Sequence, residues 1–416
     1  MTSKTTSTFV YNPLSLPIYL MAKPAGADCN LNCSYCYYLD KGILYAHTKN
    51  HLMTDELLEK FTKDYINSQP TANILFTWHG GEPLLRNISF YKKAIALQQR
   101  YGRGRNIVNV LQTNGTLLND EWCRFFKDQK FLIGISIDGP EHCHDIYRRN
   151  KGGMGTFLQV MQGIHLLQKH GVEFNTMSVI NHYNAEYPLE VYHFLKEIGS
   201  QYMQLSPIVE RQGVRADGLT LLSPNDKTNG GMTDWSVTPT QFGEFYTTIF
   251  DEWVLNDVGD YFVQLFDSTL ATYVGVSPGV CIYAEKCGHA GAIEYNGDVY
   301  VCDHFVFPEN KLGNIYNKSL LSMMLSPEAI EFGNKKQTTL PRQCQQCPYK
   351  KMCNGECPKN RIIKTKDGED GLNYLCEGYK MYFQHVLPYI EYMANEYNHQ
   401  RPPSNVINWA RSRVHV

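Results

Sequence analysis

The sequence predicts an α/β protein: a parallel sheet built from six strand-helix units, best accommodated by an incomplete barrel, followed by a cysteine-rich module and a carboxy-terminal helix. Three observations carry this prediction. Short apolar runs alternate with amphipathic stretches from residue 17 to about 210, eight of the thirteen cysteines fall between Cys281 and Cys376, and helical spacing of apolar residues returns over residues 379–397. With 416 residues, 43% hydrophobic and 12% aromatic, the chain has enough buriable surface for one large catalytic domain plus a second module.

Strands are read at residues 17–23, 74–78, 107–111, 131–137, 172–180 and 202–209. Between them lie helical patterns such as Leu57, Leu58, Phe61 and Tyr65, which recur at helical spacing after Thr54, a candidate N-cap. Such alternation places successive strands parallel and joins them by crossover helices. Full barrels and doubly wound sheets both satisfy it, and six units suit an incomplete barrel better than a closed eightfold one. Residues 212–239 are rich in Gly, Asp, Asn, Ser and Thr without a sustained period, which predicts a long loop or linker. A helix is predicted from residue 241 to about 258. The resulting division is a barrel over residues 1–235, a helical linker over 236–275, a cysteine-rich domain over 276–390 and a tail over 391–416.

Lys and Arg number 39 against 41 Asp and Glu, a balance without the basic surplus that attracts nucleic acid or anionic lipid. The longest uncharged apolar runs, such as residues 131–137, fall far short of the ~20 residues that cross a bilayer, so neither a nucleic-acid partner nor a membrane span is expected. Lys4, an apolar segment and Ala25-Gly26-Ala27 give the amino-terminal stretch a trace of signal-peptide character. Pro13 and Pro17 interrupt that segment and Lys23-Pro24 follows it, so residues 17–23 are read as the first core strand and cytoplasmic residence is the expectation.

An odd number of cysteines in a large chain does not suggest a disulfide framework; it points to metal or redox chemistry. Cys29-Asn-Leu-Asn-Cys33-Ser-Tyr-Cys36 places three thiols in one loop after the first strand. Three soft thiolates can hold three corners of an iron-sulfur cubane and leave the fourth iron open to a substrate. A zinc loop would favour paired CxxC and a nearby fourth ligand, and the nearest further candidates here are His47 and His51. The second group reads Cys281-x5-Cys287-x9-Gly297-x4-Cys302, then Cys344-x2-Cys347-x5-Cys353-x3-Cys357-x18-Cys376. Eight thiols make two sets of four, enough for two fully ligated clusters, while a pair of structural zinc ribbons would use the same ligands.

The CxxxCxxC motif resembles the radical S-adenosylmethionine (SAM) superfamily, and the later cysteines resemble its SPASM extension. Within that class the sequence is most similar to the anaerobic sulfatase-maturating enzymes, from about residue 19 to residue 389. The similarity runs through residues 29–38, Gly80-Gly81-Glu82-Pro83, Gln112-Thr-Asn-Gly-Thr116, Ser136-Ile-Asp-Gly-Pro140, Asp298-Val-Tyr-Val-Cys-Asp303, Leu312-Gly-Asn-Ile315 and Leu372-Asn-Tyr-Leu-Cys376. His79 departs from the Gln that some members carry.

The resemblance implies three 4Fe-4S clusters and SAM. Cys29, Cys33 and Cys36 would hold the cluster that chelates SAM; Cys281, Cys287, Cys302 and Cys357 would hold one auxiliary cluster, and Cys344, Cys347, Cys353 and Cys376 the other. Gly80, Gly81 and Glu82 would receive the SAM amine, Ser136 and Arg148 its carboxylate, and Tyr35 and Val209 would lie around the adenosine; the fork of an Arg suits a carboxylate. The implied reaction oxidises a Ser or Cys of a sulfatase to Cα-formylglycine. A deoxyadenosyl radical takes hydrogen from Cβ, Asp303 serves as general base, and an auxiliary cluster accepts an electron. Tyr38 would hold the substrate, an unfolded or nascent sulfatase segment, and a flavodoxin or ferredoxin would supply low-potential electrons. Cys123 and Cys143 are left to pack as small apolar residues. Two other readings stay open at this point: another SPASM enzyme that forms a thioether or crosslink in a peptide, and a non-enzymatic iron-sulfur or zinc scaffold.

Overall fold

The computed structural model describes residues 16–414 apart from 49, 227–229 and 289; Lys4 and Pro13 lie outside the described residues. Six strands, β1 (Tyr19–Ala22), β2 (Asn73–Trp78), β3 (Asn106–Thr113), β4 (Leu132–Ser136), β5 (Phe174–Ile180) and β6 (Tyr202–Pro207), pair in sequence order and all in parallel. Helices α1 (Asp55–Asn67), α2 (Ile88–Gly102), α3 (Asp120–Asp128), α4 (Phe157–His170) and α5 (Pro188–Glu197) fill the crossovers. A doubly wound sheet reverses its strand order at a switch point. Here the order does not reverse, so right-handed crossovers lay every helix on one face and the sheet curls as a partial barrel.

Local chemistry explains the helix starts. Thr54 accepts the Leu57 amide hydrogen, and Leu57, Leu58, Phe61 and Tyr65 are buried as one stripe against β2 residues Phe76 and Trp78. The helix after the long loop, α6 (Pro239–Asn256), begins two residues before its expected start because Thr238 and Gln241 form a capping box with Pro239 at the first helical position. The loop itself contains a two-residue ladder, Arg211–Gln212 with Gly231–Met232. Strand β7 (Phe262–Val263) adds to β6, and α7 (Gln264–Val274) follows it.

The cysteine-rich segment continues the same sheet. Strand β8 (Ala290–Ile293) pairs in parallel with β1, and β9 (Asp298–Tyr300) and β10 (Lys311–Asn314) follow antiparallel, giving the order β10-β9-β8-β1-β2-β3-β4-β5-β6-β7. Gly297, at φ +90°, turns β8 into β9; a side chain there would also crowd Ile315. The pairing of β1 with β8 ends on Lys23, whose amide donates to Ile293 O at 2.9 Å. It brings Cys302 and Asp303, just beyond β9, to the carboxyl end of β1. Helices α8 (Pro327–Thr338), α9 (Cys376–Asn398) and α10 (Val406–Val414) complete the chain, with α9 packed along α6 through Phe242, Tyr246, Tyr379 and Tyr382. Among the described residues no helix is long and apolar enough to cross a membrane.

Candidate active site

The carboxyl ends of the parallel strands are where such sheets bind ligands, and every residue singled out around the cysteine triplet gathers there. The triplet loop follows β1 and is braced from both sides. On one side the Asn32 and Ser34 amides donate to Arg149 O and Tyr147 O at 2.8 and 3.3 Å. On the other, His79, Gly81 and Glu82 amides donate to Ala22, Gly26 and Asp28 carbonyls at 2.8–2.9 Å. Gly80 sits at φ +129°, and a Cβ on Gly81 would penetrate the Asp28 carbonyl. Both positions therefore require glycine, because the two loops touch backbone to backbone. Glu82 is fully buried: its carboxylate accepts Thr113 Oγ1 at 2.8 Å and the Leu84 and Asn114 amides at 2.9 and 2.8 Å. Burial pushes it up to about 7 against the pull of those hydrogen bonds. It ties the ends of β2 and β3 together beside the triplet.

Burial raises the thiols of Cys29 and Cys33 to about 11 and about 12, and the nearby Arg148 charge opposes that rise at Cys33. Each also feels the charge of Cys36, so the three stand together. The eight later thiols divide by the same criterion. Beyond their burial, Cys302 feels Cys357 and Cys281, Cys287 feels Cys281, and Cys357 feels Cys281 and Cys287. Separately, Cys344 feels Cys347, Cys353 feels Cys376 and Cys344, and Cys376 feels Cys344 and Cys347. The second four also line a single cavity walled by Tyr349, Tyr379 and Phe383. A cubane's thiolates bind different irons and stand farther apart than the ligands of one ion; among the described residues no three His, Cys, Asp or Glu side chains converge in the tighter way. These sets of soft donors fit iron-sulfur clusters. Cys123 and Cys143 are fully buried, on α3 and in the four-residue helix Glu141–His144 after β4.

At the ends of β3 and β4 the Gln112 carboxamide donates to Ser136 Oγ at 2.9 Å. Arg148 pairs through Nε with Asp138 at 3.0 Å, and the Tyr35 hydroxyl donates to the same carboxylate. Burial would lower the Arg148 guanidinium, but Asp138, Tyr35 and Cys33 together outweigh it and keep the charge fixed. Val209, past the end of β6, is 3% exposed, and its carbonyl accepts Lys359 Nζ at 2.9 Å.

The densest electrostatics lie between β1 and Asp303. Lys23, completely buried at the end of β1, forms an ion pair with Asp303, contacts His79 Nδ1 at 3.2 Å and places its ammonium 4.2 Å from the centre of the Tyr38 ring. Tyr37 donates its hydroxyl to the other Asp303 oxygen, and its ring centre lies 5.2 Å from that of His304, the planes tilted by 38°. Burial alone would raise the Asp303 carboxyl; the Lys23 charge, together with the smaller influences of His79, His304 and the Lys23 hydrogen bond, overcomes it and holds the group below the usual carboxylate range. Burial and the same ammonium push His79 down to about 3, and since Nδ1 accepts the Gly80 amide at 2.8 Å, its proton resides on Nε2. Tyr38 is 2% exposed with its hydroxyl donated to Glu294, so a substrate would reach that hydroxyl only by displacing Glu294.

The structure brings the triplet, the glycine pair and Asp303, all singled out from the sequence, to one end of the sheet; Lys23, Tyr37, Asp138 and Glu294, which stand beside these candidates, were not singled out. One signal was available: a lysine ending an apolar strand and followed by proline is an expensive residue to bury without a partner.

Comparison with known proteins agrees with this geometry. Residues 24–195 match the Radical SAM superfamily, and residues 286–348 match the SPASM iron-sulfur cluster-binding domain. The chain is 57% identical over 397 residues to a serine-type anaerobic sulfatase-maturating enzyme of Bacteroides thetaiotaomicron, covering 95% of this chain and 96% of the relative. It is 30% identical over 386 residues to a cysteine-type enzyme of Clostridium perfringens, covering 91% and 99%. Among solved structures, native anSMEcpe with bound AdoMet and Cp18Cys peptide matches with a TM-score of 0.78 at 30% identity, covering 92% of this chain and 100% of that one. The chain belongs to the anaerobic sulfatase-maturating enzymes, radical SAM enzymes that carry a SPASM domain.

Proposed function

We propose that this protein oxidises one Ser or Cys of an unfolded or nascent sulfatase segment to Cα-formylglycine, with Asp303 as general base and three 4Fe-4S clusters held by the cysteine sets assigned above. The observation that carries this reading is the position of Asp303. Its backbone follows Cys302, and its carboxylate accepts the hydroxyl of Tyr37, the neighbour of Cys36, so it stands between the triplet and an auxiliary set.

Oxidising a Ser side chain to an aldehyde removes one hydrogen atom, one proton and one electron. Bound SAM with its cluster supplies the acceptor for the hydrogen atom, and an auxiliary cluster the acceptor for the electron. Everything else falls to the chain. Arg148 and Ser136 would hold the SAM carboxylate, the Gly80-Gly81 turn would admit its amine, and Tyr35 and Val209 would lie beside its adenosine. Lys23 and Tyr37 fix both oxygens of Asp303 and keep it ionised, ready to take the hydroxyl or thiol proton. A Cys target gives a thioaldehyde that water hydrolyses. The greater identity to a serine-type relative favours Ser as the preferred target. A low-potential flavodoxin or ferredoxin in the cytoplasm would supply the electrons.

Asp303→Asn keeps the shape and removes the proton acceptor. With clusters intact it should still cleave SAM and transfer deuterium from Cβ-labelled peptide into 5'-deoxyadenosine, while aldehyde yield falls by roughly 10²-fold or more. Aldehyde production near the wild-type rate would remove Asp303 from the reaction.

A further inference from the structure

Below the reactive end, the inner wall of the barrel holds a cavity. Strands β3–β6 and the start of α7 enclose a cavity of about 360 Å³, lined by Gln112, Asn175, Gln204, Gln264 and Asp267 among others. Gln112 joins the two levels: it lines the cavity and donates to Ser136 Oγ at the carboxyl end of β4. Leu132, at the opposite end of that strand, lines the cavity as well. At ~3.3 Å per residue the cavity runs roughly 13 Å down the wall from the reactive level.

Asp267 is the only acidic or basic residue in this lining. Among the described residues it makes neither a hydrogen bond nor an ion pair, and the side chains of Asn175 and Gln264 make no hydrogen bond either. Its place in the first turn of α7 suits the helix dipole but supplies no partner for the carboxylate. Burial pushes the group up to about 7. A largely buried carboxylate without a partner is strongly unfavourable unless it holds a proton or meets a cation. Amide side chains beside it both donate and accept, as a peptide backbone requires.

We propose that this cavity is a subsite for the target polypeptide, in which Asp267 pairs with a basic side chain a few residues from the reacting Ser or Cys while Asn175 and Gln264 hydrogen-bond the peptide backbone. This rests on the proposed function only in supposing a polypeptide substrate. The subsite discriminates by charge: a Lys or Arg gains an ion pair with Asp267, and a Glu in its place meets a like charge.

The test uses the reconstituted, SAM-bound protein at pH 8 and Ser peptides identical except for one flanking position, scanned as Arg, Gln or Glu. Affinity is read by fluorescence anisotropy and aldehyde formation separately by mass spectrometry. At one flanking position the wild type should bind the Arg peptide at least tenfold tighter than the Gln peptide. That ratio should fall to about one in Asp267→Asn and invert in favour of Glu in Asp267→Lys. An Arg/Gln ratio near one at every position in the wild type, or a ratio preserved in Asp267→Asn, overturns the subsite. Charge-selective binding without any aldehyde would instead overturn the proposed reaction and leave the subsite standing.

Discussion

Cys29, Cys33 and Cys36 come together through one loop, whereas Cys281, Cys287, Cys302 and Cys357 are gathered from a loop, the end of a strand and a turn spread over residues 281–357. The first group takes its shape from outside: the Gly80-Gly81 turn and the carbonyls of Tyr147 and Arg149 hold the loop in place. The second group would itself act as a crosslink, because one bound cluster would join segments far apart in sequence. A local ligand set can lose its cluster and remain folded. An interleaved set couples cluster binding to folding, since the binding free energy closes long loops.

Replacing Cys29, Cys33 and Cys36 together by Ala should abolish SAM cleavage completely and remove about a third of the iron, by the four-iron arithmetic of three clusters, while the melting temperature moves little. Iron analysis, 5'-deoxyadenosine chromatography and thermal denaturation read the three quantities. A large loss of stability would erase the contrast between the regions.

Within the second region the contrast sharpens to four residues of sequence. Cys357→Ala should disrupt the set containing Cys302, and Cys353→Ala the set containing Cys376. Each should lose up to about a third of the iron and several degrees of melting temperature, and each should leave a distinct electron paramagnetic resonance spectrum from the remaining auxiliary cluster. Identical residual spectra would break the interleaved assignment.

The seam between the regions should respond to pH. Burial, opposed by the Tyr38 hydrogen bond and Lys23, pushes Glu294 up to about 7. A carboxyl raised in the folded state contributes stability that is complete below about 4.5, its ordinary value, and is lost as pH rises through about 7. Wild-type melting temperature should therefore fall more steeply between pH 5 and 8 than that of Glu294→Gln. Parallel curves for the two proteins would show that Glu294 does not titrate in this way.

Cys123→Ala and Cys143→Ala should have the smallest effect. Both are fully buried and belong to neither region's thiols, so each should cost about 1 kcal/mol in denaturant unfolding without changing iron content. Loss of a whole cluster from either variant would mean that the thiols are partitioned differently.

The barrel was legible because its signals are local. Thr54 caps a stripe that β2 buries, and each apolar run is a strand with its helix following in sequence. Strands β8–β10 were not read: they are three or four residues long, and β8 gains meaning only by pairing with β1. The same distance hid part of the candidate site. Asp303 could be singled out through the family resemblance, but its bond to Tyr37 spans 266 residues of sequence, and Lys23 reads as a strand end until β8 brings Asp303 to it. Tyr38 shows the converse, since its neighbour's hydroxyl is the one that reaches the carboxylate.

The central claim is the conversion of a side chain to an aldehyde, and one anaerobic incubation tests it. Reconstituted protein, SAM, a low-potential reductant and a Ser-containing sulfatase peptide are combined, and the product is trapped with a hydrazide and sequenced by mass spectrometry. The account predicts a peptide that has lost two hydrogens at the Ser and forms a hydrazone there, with one 5'-deoxyadenosine released per aldehyde. A product lacking the same two hydrogens that does not react with hydrazide and carries a new link between two residues would contradict it.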